Sequence, residues 1–345
     1  GRLERYASDS LLGQCDLTHQ APRTGKRVAV VGAGPAGLTV AGELAKQGHD
    51  VTVYDALHKP GGVLLYGIPE FRLPNRIVDQ EVETLRHLGV TFVLNTLVGR
   101  SITLTELQDR FDAVFMGTGA GLPRMMGIPG EELKGIYTAN EFLTRINLMR
   151  ADLFPEHTTP VTVGEHAIVV GCGNTAMDAA RCARRMGAKS VTVLYRRTKN
   201  EASARIEEME HAEEEGIHFR WLTTPVQLIG NEQGWLQAAQ CAVMETTEPG
   251  PDGRRGVKMT DTRVLIPCET LIVALGFDVN PLLAQTEQGL RTLRGGVVVV
   301  DEATGETSLP GVYAGGDVIT GGATVILAMG QGRRAAAAMH AQLSH

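Results

Sequence analysis

The 345 residues include only five cysteines, and no two of them form a C-x-x-C pair. Cys15, Cys172, Cys182, Cys241 and Cys268 stand alone. That spacing excludes a disulfide framework, a zinc site and a vicinal redox pair. It also lacks the four locally spaced thiolates that an iron–sulfur cluster needs. Positive charge is not in excess: the net charge is −6 and the pI about 6.0. With no basic stripe, a nucleic-acid partner is not expected. No apolar run approaches the roughly 18–20 residues of a membrane span. No signal peptide is visible, so a cytoplasmic location is the expectation. The first residue is Gly1 rather than Met, as in a processed or trimmed piece.

Glycine, by contrast, is plentiful, with 41 residues. The glycines fall in turns between apolar segments and not in low-complexity tracts, which reads as a turn-rich α/β protein. The length is enough for two domains with sizeable cores.

Two stretches carry most of the information. From Arg27 the sequence reads "RVAVVGAGPAGLTVAGELAKQGHD", and from His166 it reads "HAIVVGCGNTAMDAARCARRMGAKS". Each is an apolar run, a Gly-x-Gly-x-x-Gly/Ala turn, a helical pattern and a second apolar strand. That is a βαβ unit with a dinucleotide fingerprint in its required context. In the first, Gly32 makes the tight turn, Gly34 lets a pyrophosphate approach, and Gly37 lets helix and strand pack. Gly171, Gly173 and Ala176 take those places in the second. Each helix N-terminus offers free N–H groups and positive dipole to phosphates.

The second strands end differently. Residues 51–55 read "VTVYD" and residues 191–200 read "VTVLYRRTKN". Asp55 accepts only, suits two ribose hydroxyls and would repel a 2′-phosphate. Arg196 and Arg197 offer forks of donors that suit a phosphate, and Arg205 can supply a third cation. The first site is therefore expected to take FAD or NAD, and the second NADP(H).

Along the chain, residues 1–24 read as an N-terminal helix and linker. Residues 25–161 and 277–345 are expected to form an FAD-binding domain, with an NADPH-binding domain, residues 162–276, inserted in it. The fold class is α/β with two Rossmann-like domains of the three-layer ββα type. "FDAVFMGTGAG" and "CETLIVALGFD" look parallel, as if each domain closed on a strand and a glycine turn. The acidic stretch "ASARIEEMEHAEEEG" reads as a helix with a solvated face.

Taken together, "VGAGPAGL", "GTGA", "VGCGNTAMDAAR", "YRR", "HAEEEGI" and "VYAGGD" resemble the small chain of bacterial glutamate synthase. They equally resemble the NADPH-side subunit of NADH-dependent ferredoxin:NADP oxidoreductase, and more loosely the flavin half of dihydropyrimidine dehydrogenase. The resemblance covers nearly the whole chain and implies FAD on the first domain and NADPH on the second. It puts Gly32, Gly34, Pro35, Ala36 and Gly37 on the FAD pyrophosphate and Asp55 on the ribose, where many flavoproteins have Glu. It adds Gly62, Val63 and Arg72 from a Gly/Pro loop, Val98 near the adenine, and Gly119 in the "GTGA" turn. Gly316 and Asp317 fall at the ribityl–phosphate region, and Ala323, Thr324 and Val325 by the flavin pyrimidine edge. The NADPH site falls on Gly173, Asn174, Thr175, Arg196, Arg197 and Gly276.

The family carries an N-terminal iron–sulfur domain. Here only "GRLERYASD" resembles its last helix, so the chain looks like the flavin core without it. The implied chemistry is hydride transfer from NADPH to FAD, then electron transfer to an iron–sulfur domain or subunit, or to a larger catalytic subunit that carries one. That chemistry needs no protein nucleophile or base, so no catalytic residue and no metal ligand is named. A ferredoxin:NADP or dihydropyrimidine dehydrogenase-type core is the alternative, followed by a flavin monooxygenase and a non-turnover NADP(H)-binding module. A disulfide reductase would need the C-x-x-C pair that is missing.

Overall fold

The structure, a computed structural model, describes residue 6, residue 10 and residues 21–249 and 255–344. The expected N-terminal helix falls almost wholly outside these residues, as does Cys15. The chain divides into two compact units. One comprises Gly1–Leu65, Glu70–Leu122 and Phe277–His345, the other Tyr66–Pro69 and Pro123–Gly276.

The first unit opens with strand β1, Arg27–Val31, whose last four residues are buried. Helix α1, Pro35–Lys46, follows directly. Proline at its first turn costs no hydrogen bond and presets φ. Strand β2, Asp50–Tyr54, returns parallel to β1, with Arg27 opposite Asp50 and Val31 opposite Tyr54. Helix α2 (Asn75–His87), β3 (Thr91–Val93), α3 (Leu104–Arg110) and β4 (Ala113–Met116) complete this stretch. Helix α3 starts on a capping box, in which Thr103 and Glu106 satisfy each other's backbone N–H.

The second unit contains β5 (Ile136–Thr138), β6 (His166–Val170), α4 (Asn174–Arg185), β7 (Ser190–Leu194), α5 (Ile206–Glu214) and β8 (His218–Arg220). An antiparallel ribbon follows, β9 (Thr223–Gly230), β10 (Leu236–Pro249) and β11 (Arg255–Pro267), then β12 (Thr270–Val273). Back in the first unit, β13 (Val312–Ala314) pairs with β4, and α6 (Val325–Leu343) ends the described chain.

The two five-stranded sheets have one design. The first runs β13-β4-β1-β2-β3 and the second β5-β12-β6-β7-β8, with every pairing parallel. Strands β4 and β12, which end the two parallel-looking sequences, hold equivalent places beside the fingerprint strands. The near-continuous apolar strands follow, because both faces of such a sheet are covered. In the first unit Val28, Val30, Leu44 and Val53 pack with Ala335 and Met339 of α6 on one face. Ala29, Val31, Leu104, Leu107 and Met116 pack on the other. In the second unit Ile168, Val170, Leu194 and Leu271 pack with Leu228 and Leu236 of the ribbon.

The second compact unit takes in Tyr66–Pro69 and the residues from Pro123 to Gly276. Strand β5 pairs with β12 through Ile136–Leu271 and so ties residues 136–138 into the second sheet. The acidic stretch also differs from a plain solvated face. Glu208 and Glu215 lie 3.3 and 2.9 Å from the buried Arg181 guanidinium on α4, while Met209 and Ala212 face the core. Among the described residues no helix is long and apolar enough to cross a membrane.

Candidate nucleotide-binding sites

Both glycine turns are held from the same three directions. Gly32 N–H donates to the Tyr54 carbonyl at 2.7 Å and Gly171 N–H to the Leu194 carbonyl at 3.0 Å. From the other side Gly117 N–H donates to Val31 at 2.7 Å and Ala274 N–H to Val170 at 2.8 Å. The first helical bonds run from Leu38 to Gly34 and from Met177 to Gly173. Gly32 and Gly171 need positive φ, +101° and +125°, and a Cβ on either would strike a neighbouring backbone carbonyl. A Cβ on Gly34 would meet nothing within 4 Å, so the space a pyrophosphate requires is clear of protein. At Gly173 the nearest atom to such a Cβ is Ser203 Oγ at 3.3 Å. A Cβ on Gly37 would collide with the Gly32 carbonyl, whereas the second loop accommodates Ala176, fully buried, at that place.

Asp55 follows β2 and is 9% exposed. Its Oδ2 accepts from Ala33 N–H at 2.6 Å and its Oδ1 from Leu57 N–H at 2.7 Å. Burial pushes its pKa up, and those two N–H bonds oppose the rise. A carboxylate has about four acceptor positions, so the remaining ones can take a vicinal diol. Asp55 therefore ties strand end to glycine turn and still fits a ribose.

Other first-unit residues gather around this turn. Gly62, at φ +53°, comes close enough that its Cβ would lie 2.8 Å from Gly34 Cα, and Val63 begins the single helical turn Val63–Tyr66 after it. Gly61 N–H donates to the Ala33 carbonyl at 2.8 Å. A Cβ on Gly316 would lie 3.1 Å from Ala36 Cβ, so the "GGD" segment sits against the start of α1 beside Pro35 and Ala36. Asp317 is pushed above the usual carboxylate range by burial, partly offset by a 2.9 Å bond from Ala323 N–H. Thr324 caps α6, its hydroxyl accepting from Leu327 N–H at 3.2 Å, with Val325 as the first helical residue. Arg72 is half-buried in the loop before α2. Val98 is a core residue, 5% exposed among Ala29, Val31 and Leu104, so an adenine contact there falls to its main chain.

In the second unit Arg196 is exposed and Arg197 half-buried. Arg197 Nε is buried with no hydrogen-bond partner among the described residues. Leaving such a donor unpaired costs about 1–3 kcal/mol, which an anionic ligand would recover. The Arg205 main chain is brought beside the glycine turn, its backbone N–H donating to Asn174 Oδ1 at 3.0 Å. Ser203 and Ala204 N–H both donate to the Cys172 carbonyl, at 3.1 and 3.0 Å. Thr175 lies in the first turn of α4. Gly119 and Gly276 are equivalent: each lies three residues beyond its strand, at φ +72° and +95°, and neither would find an atom within 4 Å of a Cβ.

Two side-chain bonds carry no sequence signal. Gln331 Oε1 accepts from Gly316 N–H at 2.7 Å and fixes the "GGD" turn from a helix interior. Asn174 spends its side-chain oxygen on Arg205, which a fingerprint reading leaves out. The described cysteines are buried and free. Burial raises Cys172 and Cys241 to about 11 and Cys268 to about 12, and Cys182 rises further. Thiols so protonated are poor nucleophiles at neutral pH.

The sequence model of the pyridine nucleotide-disulphide oxidoreductase family matches residues 22–332. Among known proteins, the NADP(+)-dependent formate dehydrogenase subunit beta of Moorella thermoacetica is 41% identical over 321 residues, spanning 92% of this chain and 44% of that one. The glutamate synthase [NADPH] small chain of Azospirillum brasilense is 35% identical over 348 residues, spanning 99% and 72%. The chain thus spans about half the length of several curated relatives it matches, such as 52% of the putative oxidoreductase AegA of Escherichia coli. Among solved structures, FprA from Mycobacterium tuberculosis superposes with a TM-score of 0.78 at 21% identity, covering 92% of this chain and 85% of that one. That likeness carries the fold, and the closer sequence matches carry the resemblance to the glutamate synthase small chains. The chain belongs to the pyridine nucleotide-disulphide oxidoreductase family.

Proposed function

We propose that this chain is the NADPH–FAD core of an electron-transfer oxidoreductase, with FAD on the first unit and NADPH on the second. The observation that carries the reading is the pair of matched glycine turns whose next strands end on an acid and on two arginines. The orphaned Arg197 Nε supports the second half, since it needs an acceptor such as a 2′-phosphate. When bound, the flavin accepts a hydride from NADPH and releases single electrons. The protein's share is binding and orientation: both glycine turns receive phosphates, Asp55 holds the ribose, and Arg196, Arg197 and Arg205 select the phosphorylated dinucleotide. We assign Gly62, Val63, Arg72, Val98, Gly119, Gly316, Asp317 and residues 323–325 to FAD, and Gly173, Asn174, Thr175 and Gly276 to NADPH.

The acceptor is an iron–sulfur-bearing domain or subunit, in the glutamate synthase manner. The relatives named as a small chain and as a beta subunit favour an assembly. A cytoplasmic setting fits NADPH as reductant. The purified chain should be yellow, and anaerobic NADPH should bleach the flavin band. NADPH with ferricyanide should turn over in a chain that carries no bound iron. Reduction of ferredoxin, or glutamate formation, should wait for a cluster-bearing domain or subunit. A chain that stays colourless with added FAD would overturn the reading. Full physiological activity without any cluster would overturn the proposed electron route.

A further inference from the structure

The loop that follows β7 is braced more heavily than a surface turn requires. Its far end is tied to the glycine turn through Ser203, Ala204 and Arg205. Its middle, Thr198–Glu201, is closed by Glu201: the carboxylate accepts from Thr198 N–H at 3.0 Å and from Thr198 Oγ1 at 2.6 Å. Its near end is Tyr195. There the hydroxyl donates to the Glu201 carbonyl at 2.8 Å, bridging six residues across the two arginines. The Tyr195 ring meets Trp221 edge-on at 6.2 Å, and Trp221 stacks on Phe219 at 5.2 Å. The main chain is pinned as well. Tyr195 N–H donates to Arg220, Thr223 N–H to Tyr195 and Leu222 N–H to Arg197, at 3.1, 3.0 and 3.1 Å. Tyr195 thus joins the arginine loop, the 198–201 turn and the aromatic step on β8.

We propose that Tyr195 is a positioning residue for cofactor choice. Its hydroxyl bond to Glu201 holds the 195–205 loop closed, so that Arg197 and Arg205 are presented together to one phosphate. This rests on the reading of the second unit as the NADPH site. A guanidinium fork gains from being fixed before the ligand arrives, because less freedom is lost on binding. Without the hydroxyl, both arginines remain but their spacing is no longer set.

The test is Tyr195→Phe in the full FAD-loaded chain, read by steady-state ferricyanide reduction with NADPH and with NADH. Phenylalanine keeps the ring on Trp221 and removes only the O–H. The KM for NADPH should rise about 3- to 10-fold, the size of one net hydrogen bond, while kcat and the KM for NADH hold. Made on top of Arg197→Gln, the same change should move the NADPH KM by less than about twofold, as expected when two residues act as a unit. An unchanged NADPH KM, or equal rises for NADPH and NADH, overturns the proposal and leaves Tyr195 as packing. If the parent itself uses NADH and NADPH equally, the NADPH reading has failed, and the proposal falls with it for that separate reason.

Discussion

Asp55 directly follows the second strand of one βαβ unit, Arg196 and Arg197 lie one and two residues further along in the other, and their surroundings treat them in opposite ways. Asp55 is buried, with each oxygen already accepting a main-chain N–H from its own unit. Arg196 faces solvent, and Arg197 leaves its Nε without a partner among the described residues. On the proposed FAD reading the acid is a structural tie first and a ligand acceptor second, and its geometry is set by the turn it serves. The arginine side chains must be aimed by other residues. A site that reads hydroxyls can be built from the strand and turn alone. A site that reads a phosphate with flexible cations needs a braced loop, which the second unit supplies through Tyr195, Glu201 and Asn174.

The largest test of this pairing removes one turn at a time. Gly34→Leu should abolish FAD binding, read as loss of the flavin band in the purified protein. A Cβ at Gly34 meets no protein atom, so the chain should still fold, with an unchanged far-UV circular dichroism spectrum. Gly173→Leu should leave the flavin band intact and cut kcat/KM for NADPH more than about a hundredfold, since two or more charge-assisted bonds to the pyrophosphate are lost. If Gly173→Leu also removed the flavin band, or if the flavin-free Gly34→Leu protein also lost NADP+ binding, the assignment of one nucleotide to each unit would be wrong.

A smaller effect is expected from Arg197→Gln. One charge-assisted bond to a phosphate is worth about 1.5–3 kcal/mol, or about ten- to a hundredfold in NADPH affinity. NADH should be unaffected, because it lacks the 2′-phosphate that the proposed site places on the guanidinium. Titration of the oxidised protein with NADP+ and NAD+ separates the two. Equal weakening for both would show the guanidinium to act on the loop and not on the 2′-phosphate.

What could be read in the sequence follows from where the information is local. The two βαβ units are legible because glycine spacing, helix start and strand ending all lie within about thirty residues of each other. The equivalence of β4 and β12 is also visible, since each strand runs into a glycine turn. The entry of residues 136–138 into the second sheet is not. A three-residue strand has no usable period, and its partner Leu271 is far along the chain. Nor could the acidic run show that Glu208 and Glu215 serve the buried Arg181, because a charge looks the same in sequence whether solvated or paired. Gln331 on Gly316 and Tyr195 on Glu201 are side-chain-to-main-chain bonds without a spacing rule, so both needed coordinates.

The smallest expected effect lies where the units differ in their histidines. In the second unit His166 is exposed and its Nδ1 meets Ser190 Oγ at 2.8 Å. In the first, His49 is 4% exposed, its Nε2 lies 2.9 Å from His340 Nδ1 on α6, and its Nδ1 lies 2.8 Å from Thr24 Oγ1. Two ring nitrogens facing each other share one proton, so full protonation of both rings breaks that bond. Burial, and then the charge of His340, hold His49 below its ordinary value of 6.5, with Asp112 pulling the other way. A base with a lowered folded pKa contributes stability that is present above the unfolded value and is lost as pH falls through the folded one. The melting temperature should therefore fall on acidification below about pH 6.5, in part through this pair. Losing one such hydrogen bond, about 1 kcal/mol, corresponds to a drop on the order of 2–4 °C. Replacing His340 by Gln should flatten that part of the profile, and replacing His166 by Gln should leave it alone. Profiles that keep the same slope in the His340→Gln variant would show that the acid sensitivity arises elsewhere in the chain.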